Sequence, residues 1–102
     1  MNQIDLAGRC AVVTGSAQGI GRAIAARLLA SGAQVWLWDI DAALVAETAK
    51  DLGDGAHPMR VDVADPDSVE DAAQAVMQQA GQIDILVNNA GISGANAPLW
   101  EY

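Results

Sequence analysis

Three glycines stand between an apolar run and an amphipathic segment near the start of the chain. The stretch at residues 14–21 reads TGSAQGIG, and it follows the apolar residues 10–13. Such a stretch predicts a strand that turns sharply into a helix whose first turn carries few side chains. The unpaired backbone N–H groups and the dipole at such a helix start favour an anion. The stretch therefore predicts a binding site for the phosphates of a nucleotide.

Each glycine of this stretch has its own predicted role. Gly15 would allow the tight turn after the strand, Gly19 would let a diphosphate approach the backbone, and Gly21 would let the helix pack closely. The spacing differs from the G-x-G-x-x-G fingerprint, and no Gly-Lys-Ser/Thr follows as in a P-loop. A tight turn without any ligand is the alternative. The position of the stretch, after a strand and at a helix start, favours a nucleotide.

Apolar residues along the chain alternate between short runs and helical spacing. We predict strands over 9–14, 34–38, 57–61 and 83–87, and helices over 20–29, 42–52 and 66–80. Asp41 and Asp65 are the expected caps of the second and third helices. The alternation predicts an α/β fold, a Rossmann-type doubly wound parallel sheet with the strand order 3-2-1-4. The crevice of such a sheet would lie between strands 1 and 4, where both glycine-bearing loops emerge.

Asp39 stands directly after residue 38, at the end of the predicted second strand, one strand over from the glycine stretch. A carboxylate there can accept hydrogen bonds from both hydroxyls of an adenosine ribose. It would repel a 2′-phosphate by about 4 kcal/mol for charges about 4 Å apart at an effective dielectric near 20. No Lys or Arg lies at positions 16–18 or 40 to offset this repulsion. The sequence therefore predicts NAD and disfavours NADP. The alternative, that Asp39 caps the next helix, is weaker because Asp41 suits that position and would leave Asp39 free.

Asp62 and Val63 end the predicted third strand. The carboxylate could accept a hydrogen bond from the adenine amino group, and Val63 could cover the ring; an aspartate that orders its own turn is the alternative. The acidic residues that follow are explained by the dipole of a helix start, since their spacing fits no EF-hand loop. These residues are Asp65, Asp67, Glu70 and Asp71. We therefore predict no metal site.

Composition excludes several other classes of function. The net charge of −8 argues against nucleic acid and anionic membranes, which both favour basic surfaces. No apolar run approaches the roughly 20 residues of a membrane span, and the N-terminus lacks the pattern of a signal peptide. Cys10 lies in an apolar run and is expected in the core, whereas His57 is expected at the surface. One cytoplasmic domain over residues 1–102 is predicted.

These motifs closely resemble those of the short-chain dehydrogenase/reductase family. Residues 14–21 resemble its T-G-x-x-x-G-x-G motif, Asp39 resembles its NAD-selecting acid, and Asp62-Val63 resembles its adenine pair. Residues 88–91, which read NNAG, resemble its motif after the fourth strand. The resemblance implies a nicotinamide cofactor and hydride transfer between an alcohol and a carbonyl. The candidate cofactor contacts are Gly15, Ser16, Gln18, Gly19, Ile20, Gly21, Asp39, Ile40, Asp62, Val63, Asn89, Ala90 and Gly91.

The resemblance also implies that the chemistry lies outside this chain. The family's catalytic Ser, its Tyr-x-x-x-Lys pair and a further Asn correspond to positions after residue 102. Tyr102 lacks the lysine of that pair, and Ser93 lies too close to Gly91 to be the catalytic serine. Lys50, the only lysine, falls on the predicted second helix. The implied protein is the NAD-binding part of an oxidoreductase, with an incomplete fold and no catalytic residue of its own.

The predicted strand at 83–87 is nearly all apolar and would form an unprotected edge of the sheet. We expect a completing chain segment or a second copy of the protein to pair with it. Two other interpretations stay open, a non-catalytic nucleotide-binding module and an inactive truncated fragment. As an enzyme, the complete protein would act on a small alcohol or carbonyl substrate.

Overall fold

A computed structural model of the chain describes residues 6–89. Within that range, parallel strands and helices alternate as β1 (Cys10–Thr14), α1 (Gly19–Ala30), β2 (Gln34–Asp39), α2 (Ala42–Leu52), β3 (Ala56–Arg60), α3 (Pro66–Ala80) and β4 (Ile85–Val87). The strands form one sheet in the order β3-β2-β1-β4, which confirms the predicted order. None of the helices in the described range is long and apolar enough to cross a membrane.

The two central strands separate the core into two layers. Val35 and Leu37 extend from β2 to one face, where they pack against α1 and α2. Trp36 and Trp38 alternate with them and pack against α3 on the opposite face. The residues of β1 are all buried, whereas β3 and β4 at the two sides are partly exposed. Burial of apolar side chains around β1 and β2 therefore provides most of the core.

Two aspartates cap helices as the sequence predicts. The Asp41 carboxylate accepts a hydrogen bond from the N–H of Leu44 at 2.9 Å, at the start of α2. The Asp65 carboxylate accepts one from the N–H of Asp67 at 3.0 Å, and Pro66 is the first residue of α3. Each carboxylate satisfies an N–H group that has no partner within its own helix. Both helices therefore begin immediately after their capping residues.

The strand β4 is shorter than predicted, because its first hydrogen bonds to β1 involve a side chain. The Asp84 carboxylate accepts a hydrogen bond from the N–H of Cys10 at 2.8 Å, and the Asp84 N–H donates to the Cys10 carbonyl at 2.8 Å. The amide of Gln82 donates to the same carboxylate. Regular pairing therefore starts at Ile85 instead of Ile83.

The Cys10 side chain is buried, as predicted, with 8% of its surface exposed. Burial, with a further contribution from the Asp84 carboxylate, raises the pKa of the Cys10 thiol above its ordinary value. The thiol therefore stays protonated at neutral pH and behaves as a small core side chain.

His57 lies at the surface, as predicted, but it also makes contacts that the sequence did not indicate. The His57 ring stacks on Trp36, with ring centroids 4.5 Å apart, and it is partly buried. Its Nε2 lies 2.8 Å from the side-chain oxygen of Gln34, and the Trp36 indole donates to Gln79 at 3.1 Å. The β2–β3 register pairs Trp36 with His57, and this pairing brings the two rings together.

Asp84→Ala should lower the free energy of unfolding by about 1–3 kcal/mol, because the Cys10 N–H loses its acceptor. Asp84→Asn should lower the free energy of unfolding by less, since the amide oxygen can still accept the hydrogen bond from the Cys10 N–H. Urea denaturation of the complete protein measures both values. The matched control is Asp54→Ala in an exposed turn, which should stay within about 0.5 kcal/mol of the wild type. Equal effects of Asp84→Ala and Asp54→Ala would contradict this account of β4.

Candidate nucleotide-binding site

The glycine-rich stretch is anchored to the end of β2 before it reaches α1. The N–H groups of Gly15 and Ser16 donate to the Trp38 carbonyl at 2.8 and 3.4 Å. Gly15 has a φ of 62°, a left-handed value that side chains disfavour. The chain therefore leaves the sheet in a sharp turn, as predicted for this glycine.

The second half of the loop leaves a row of backbone N–H groups open. Helix α1 has no side-chain cap and no acidic residue in its first turn. Within residues 6–89, no protein acceptor receives a hydrogen bond from the N–H groups of Gln18, Gly19, Ile20 or Gly21. Unpaired N–H groups at a helix N-terminus attract an anion, and the helix dipole adds to the attraction. This part of the loop has the chemistry of a phosphate site.

The two glycines of this segment are required for different reasons. Gly19 has a φ of 64°, with open space where a Cβ atom would lie. At Gly21, a Cβ atom would lie 2.1 Å from the Gly15 carbonyl oxygen and 2.7 Å from the Asn89 side-chain nitrogen. Gly21 therefore permits a close approach of α1 to the turn and to the end of β4, in agreement with its predicted packing role.

The Asp39 carboxylate links the glycine loop to the start of α2. One oxygen accepts a hydrogen bond from the N–H of Ala17 at 3.0 Å, and the other accepts one from the N–H of Asp41 at 3.0 Å. Asp41 caps α2 as predicted and leaves Asp39 without that role, although the Asp39 carboxylate is engaged by these two backbone N–H groups. Each carboxylate oxygen has a second lone pair, so the group can still accept hydrogen bonds from a ligand.

A groove of about 270 Å³ runs along the carboxyl ends of β1, β2 and β3. Its lining consists of Gly15, Trp38, Asp39, Ile40, Val61, Asp62, Val63 and Ala64. The volume is just below the roughly 300 Å³ at which pockets for small molecules begin, so it suits one part of a larger ligand. The groove is mainly apolar and adjoins the glycine loop at Gly15. Five of the predicted contacts thus meet in one place, namely Gly15, Asp39, Ile40, Asp62 and Val63.

The Asp62 carboxylate also orders its own turn, which was the alternative interpretation of this residue. One oxygen accepts a hydrogen bond from the N–H of Ala64 at 3.0 Å. The Asp62 N–H donates to the Ser68 hydroxyl, and the Asp62 carbonyl accepts from Asp65. These bonds present Val63, which is 40% exposed, to the groove. A local structural role and a binding role are therefore compatible at Asp62.

Thr14 joins the glycine loop to the end of β4. Its hydroxyl lies 3.1 Å from the Asn88 side-chain oxygen and accepts a hydrogen bond from the N–H of Asn89 at 2.8 Å. The Asn89 amide in turn donates to the Gly15 carbonyl at 3.2 Å. Asn89 thus lies beside the loop, as predicted, whereas the predicted contacts Ala90 and Gly91 lie outside the described residues.

Ser16 and Ile20 differ in how the loop presents them. Ser16 is fully buried, and its hydroxyl as well as its N–H bonds to the Trp38 carbonyl. It therefore holds the loop in position and presents no group to the open side. Ile20 is 68% exposed. Both its side chain and its N–H group are therefore accessible to a ligand.

Thr48, on α2, was not among the candidate site residues. Its hydroxyl donates a hydrogen bond to the Ala17 carbonyl at 2.6 Å, and the side chain is buried. The signal in the sequence was a hydroxyl residue on the inner, apolar face of the second helix. Trp38 was also missed, although it lines the groove, because strand alternation indicates only that its side chain is buried.

Backbone groups supply the positive potential of this site. Asp39 and Asp62 are the charged residues that line the groove, and both are acidic. Arg22 of α1 forms an ion pair with Asp51 of α2, with 3.5 Å between Nη2 and Oδ2. Arg60 is the neighbour of Asp39 in the β2–β3 register, and neither arginine is among the residues that line the groove. An anion would therefore be held by N–H groups, while the carboxylates accept hydrogen bonds from hydroxyl or amino groups.

Comparison with known proteins gives a consistent assignment. A family model described as short chain dehydrogenase matches residues 9–101. The chain is 44% identical over 96 residues to the 2-dehydro-3-deoxy-L-rhamnonate dehydrogenase (NAD(+)) of Sphingomonas sp. (strain SKA58). This alignment covers 94% of the chain and 38% of that relative.

Solved structures share the fold. The Pseudomonas aeruginosa RhlG/NADP active-site complex matches with a TM-score of 0.82 and 41% identity, over 91% of this chain and 39% of that one. The 3-ketoacyl-(acyl-carrier-protein) reductase from Brucella melitensis complexed with NADH matches with a TM-score of 0.77 and 33% identity. This match covers 80% of this chain and 34% of the reductase chain. In each of these comparisons the chain spans less than two fifths of the matched protein. On its sequence, strand order and glycine loop, the chain belongs to the short-chain dehydrogenase/reductase family.

Proposed function

We propose that this chain provides the NAD-binding part of an oxidoreductase that interconverts an alcohol and a carbonyl by hydride transfer. The observation that carries the proposal is the row of open N–H groups at residues 18–21 beside the groove that contains Asp39. Neither feature alone specifies a dinucleotide. Together they match its two distinct parts, an anionic diphosphate and an adenosine with ribose hydroxyls.

The described residues fit such a cofactor part by part. The diphosphate would accept hydrogen bonds from the N–H groups of Gln18 to Gly21, close to the backbone because Gly19 leaves open space. The adenosine ribose would donate to Asp39, and the adenine ring would lie in the groove between Ile40 and Val63. The bound nicotinamide supplies the hydride chemistry, while the residues of this chain bind and orient the cofactor.

NAD is the cofactor that the charges favour. A 2′-phosphate would lie next to the Asp39 carboxylate, with an electrostatic cost of about 4 kcal/mol at 4 Å before screening by solvent. The rhamnonate relative carries NAD(+) in its name, and the Brucella reductase is complexed with NADH. The RhlG complex contains NADP, so family membership leaves the choice open and Asp39 carries this part of the proposal.

Catalysis would depend on residues outside the described range. Lys50, the only lysine, lies in the last turn of α2, which runs away from the carboxyl ends of the strands where the groove lies. We therefore propose that residues 1–102 alone bind the cofactor without turnover. The substrate of the complete protein would be a small alcohol or carbonyl. The partly exposed Ile85 and Leu86 of β4 are candidate contacts for a completing segment or a second copy.

The direct test is titration of the complete protein with NADH, followed by assays with alcohol and carbonyl substrates. Saturable NADH binding with a preference over NADPH is expected. Absence of any NADH binding would refute the proposal. Binding without turnover of any alcohol or carbonyl would instead favour a non-catalytic nucleotide-binding module.

Asp39→Ala should lower the NADH affinity about tenfold to a hundredfold, because hydrogen bonds to a charged group contribute about 1.5–3 kcal/mol. The affinity for NADPH should fall less, since the repulsion between its 2′-phosphate and the Asp39 carboxylate is removed. Because Asp39 also holds the Ala17 N–H, part of the loss is common to both cofactors. The ratio of NADH to NADPH affinity, from fluorescence titration, should therefore fall at least about tenfold.

Asp41→Ala is the matched control for this substitution. It removes a carboxylate two residues away that caps α2 and does not line the groove. Its free energy of unfolding should fall by about 1 kcal/mol, while the ratio of NADH to NADPH affinity stays unchanged. An unchanged ratio in Asp39→Ala would show that the ribose lies elsewhere.

Gly21→Ala should reduce NADH affinity at least about tenfold, because the new Cβ atom would lie 2.1 Å from the Gly15 carbonyl oxygen. Relief of this clash moves the start of α1, and with it the open N–H groups, by more than a binding geometry tolerates. Fluorescence titration measures the loss. Ala23→Gly, on the exposed side of α1, should cost about 1 kcal/mol of stability and leave NADH affinity intact. Wild-type affinity in Gly21→Ala would contradict the assigned role.

A further inference from the structure

The peptide group between Ala17 and Gln18 lies at the boundary between the anchored and the open halves of the glycine loop. The N–H groups of residues 15–17 all donate to β2 residues, two to the Trp38 carbonyl and one to the Asp39 carboxylate. Among residues 6–89, the next four N–H groups, those of Gln18 to Gly21, have no protein acceptor. The orientation of this one peptide group therefore decides whether an N–H or a carbonyl faces the phosphate site.

Thr48 holds this peptide group from the other side of the loop. Its hydroxyl donates to the Ala17 carbonyl at 2.6 Å, the shortest hydrogen bond around the loop, and the side chain is 1% exposed. The peptide bonds of the described residues are trans, so the carbonyl of Ala17 and the N–H of Gln18 point in opposite directions. A carbonyl held toward Thr48 therefore directs the Gln18 N–H away from α2.

We propose that Thr48 is a positioning residue for diphosphate binding, which acts by fixing the orientation of the Ala17–Gln18 peptide. This inference rests on the proposed binding of a dinucleotide. With the hydroxyl in place, the Gln18 N–H faces the anion site. Without it, the peptide can rotate and present the Ala17 carbonyl, whose negative end opposes a phosphate. Asp39 restrains the same residue through its N–H, so Ala17 is held at both backbone groups.

A purely structural role for Thr48 predicts a different result. Attachment of α2 to the loop would then contribute to stability, and its loss would affect all ligands of the site alike. A positioning role affects the ligands that carry phosphate. ADP and adenosine separate these possibilities, because they share the adenine and the ribose and differ in the diphosphate.

The experiment compares wild type, Thr48→Val and Thr48→Ser in the complete protein, by calorimetric titration with ADP and with adenosine. Thr48→Val removes the hydroxyl at nearly constant volume. The affinity for ADP should fall about tenfold, which corresponds to about 1.4 kcal/mol of binding free energy. Because adenosine lacks the diphosphate, its affinity for Thr48→Val should stay within about twofold of its affinity for the wild type. Thr48→Ser retains the hydroxyl and should restore ADP binding.

Three outcomes would overturn the inference: equal loss of ADP and adenosine, no loss of either, or a failure of Thr48→Ser to restore ADP binding. Wild-type protein that binds neither NADH nor ADP would overturn the proposed function itself. A second measurement on the wild type covers the case in which Thr48→Val does not fold. The amide proton resonance of Gln18 should shift when ADP binds and not when adenosine binds, and an unmoved resonance would overturn the inference.

Discussion

The carbonyl of Trp38 joins the sheet to the loop on which the candidate site depends. It lies at the end of β2, opposite Thr14 in the register of β1, and it accepts the first N–H groups after the strand. A slip of one residue between β1 and β2 would move each side chain of a strand to the other face. It would also separate Asp39 from Ala17. The register of these two strands therefore sets the positions of the loop, the carboxylate and the groove together.

The order of elements, the strand order and the helix caps could be predicted because they depend on local patterns. Apolar periodicity, a glycine-rich turn and an aspartate before a helix are each visible within a few residues. The missed features are side-chain contacts between elements. Thr48 bonds to Ala17, His57 stacks on Trp36, and Asp84 takes the place of a strand acceptor for Cys10. Such contacts depend on register and on the rotation of each helix, which periodicity alone does not specify.

A chain of net charge −8 is an unusual candidate for binding an anion, and the site explains how the two can coexist. The groups that face the anion position are backbone amides, whose dipoles do not depend on the charge of the side chains. The acidic residues of the site have other tasks, since Asp39 and Asp62 both accept backbone hydrogen bonds at the groove. A negatively charged surface and a phosphate site are therefore compatible in this fold.

Under the proposed preference for NAD, the double attachment of Asp39 also constrains any attempt to engineer the protein toward NADP. Replacement by a small or basic residue would remove the repulsion but release the Ala17 amide from its acceptor. Asparagine keeps a carbonyl oxygen for that amide while it discards the charge. A cation could then be introduced at Ile40, which lines the groove and is 57% exposed. Redesign of cofactor choice therefore requires two coordinated changes, one that preserves the loop and one that recognises the added phosphate.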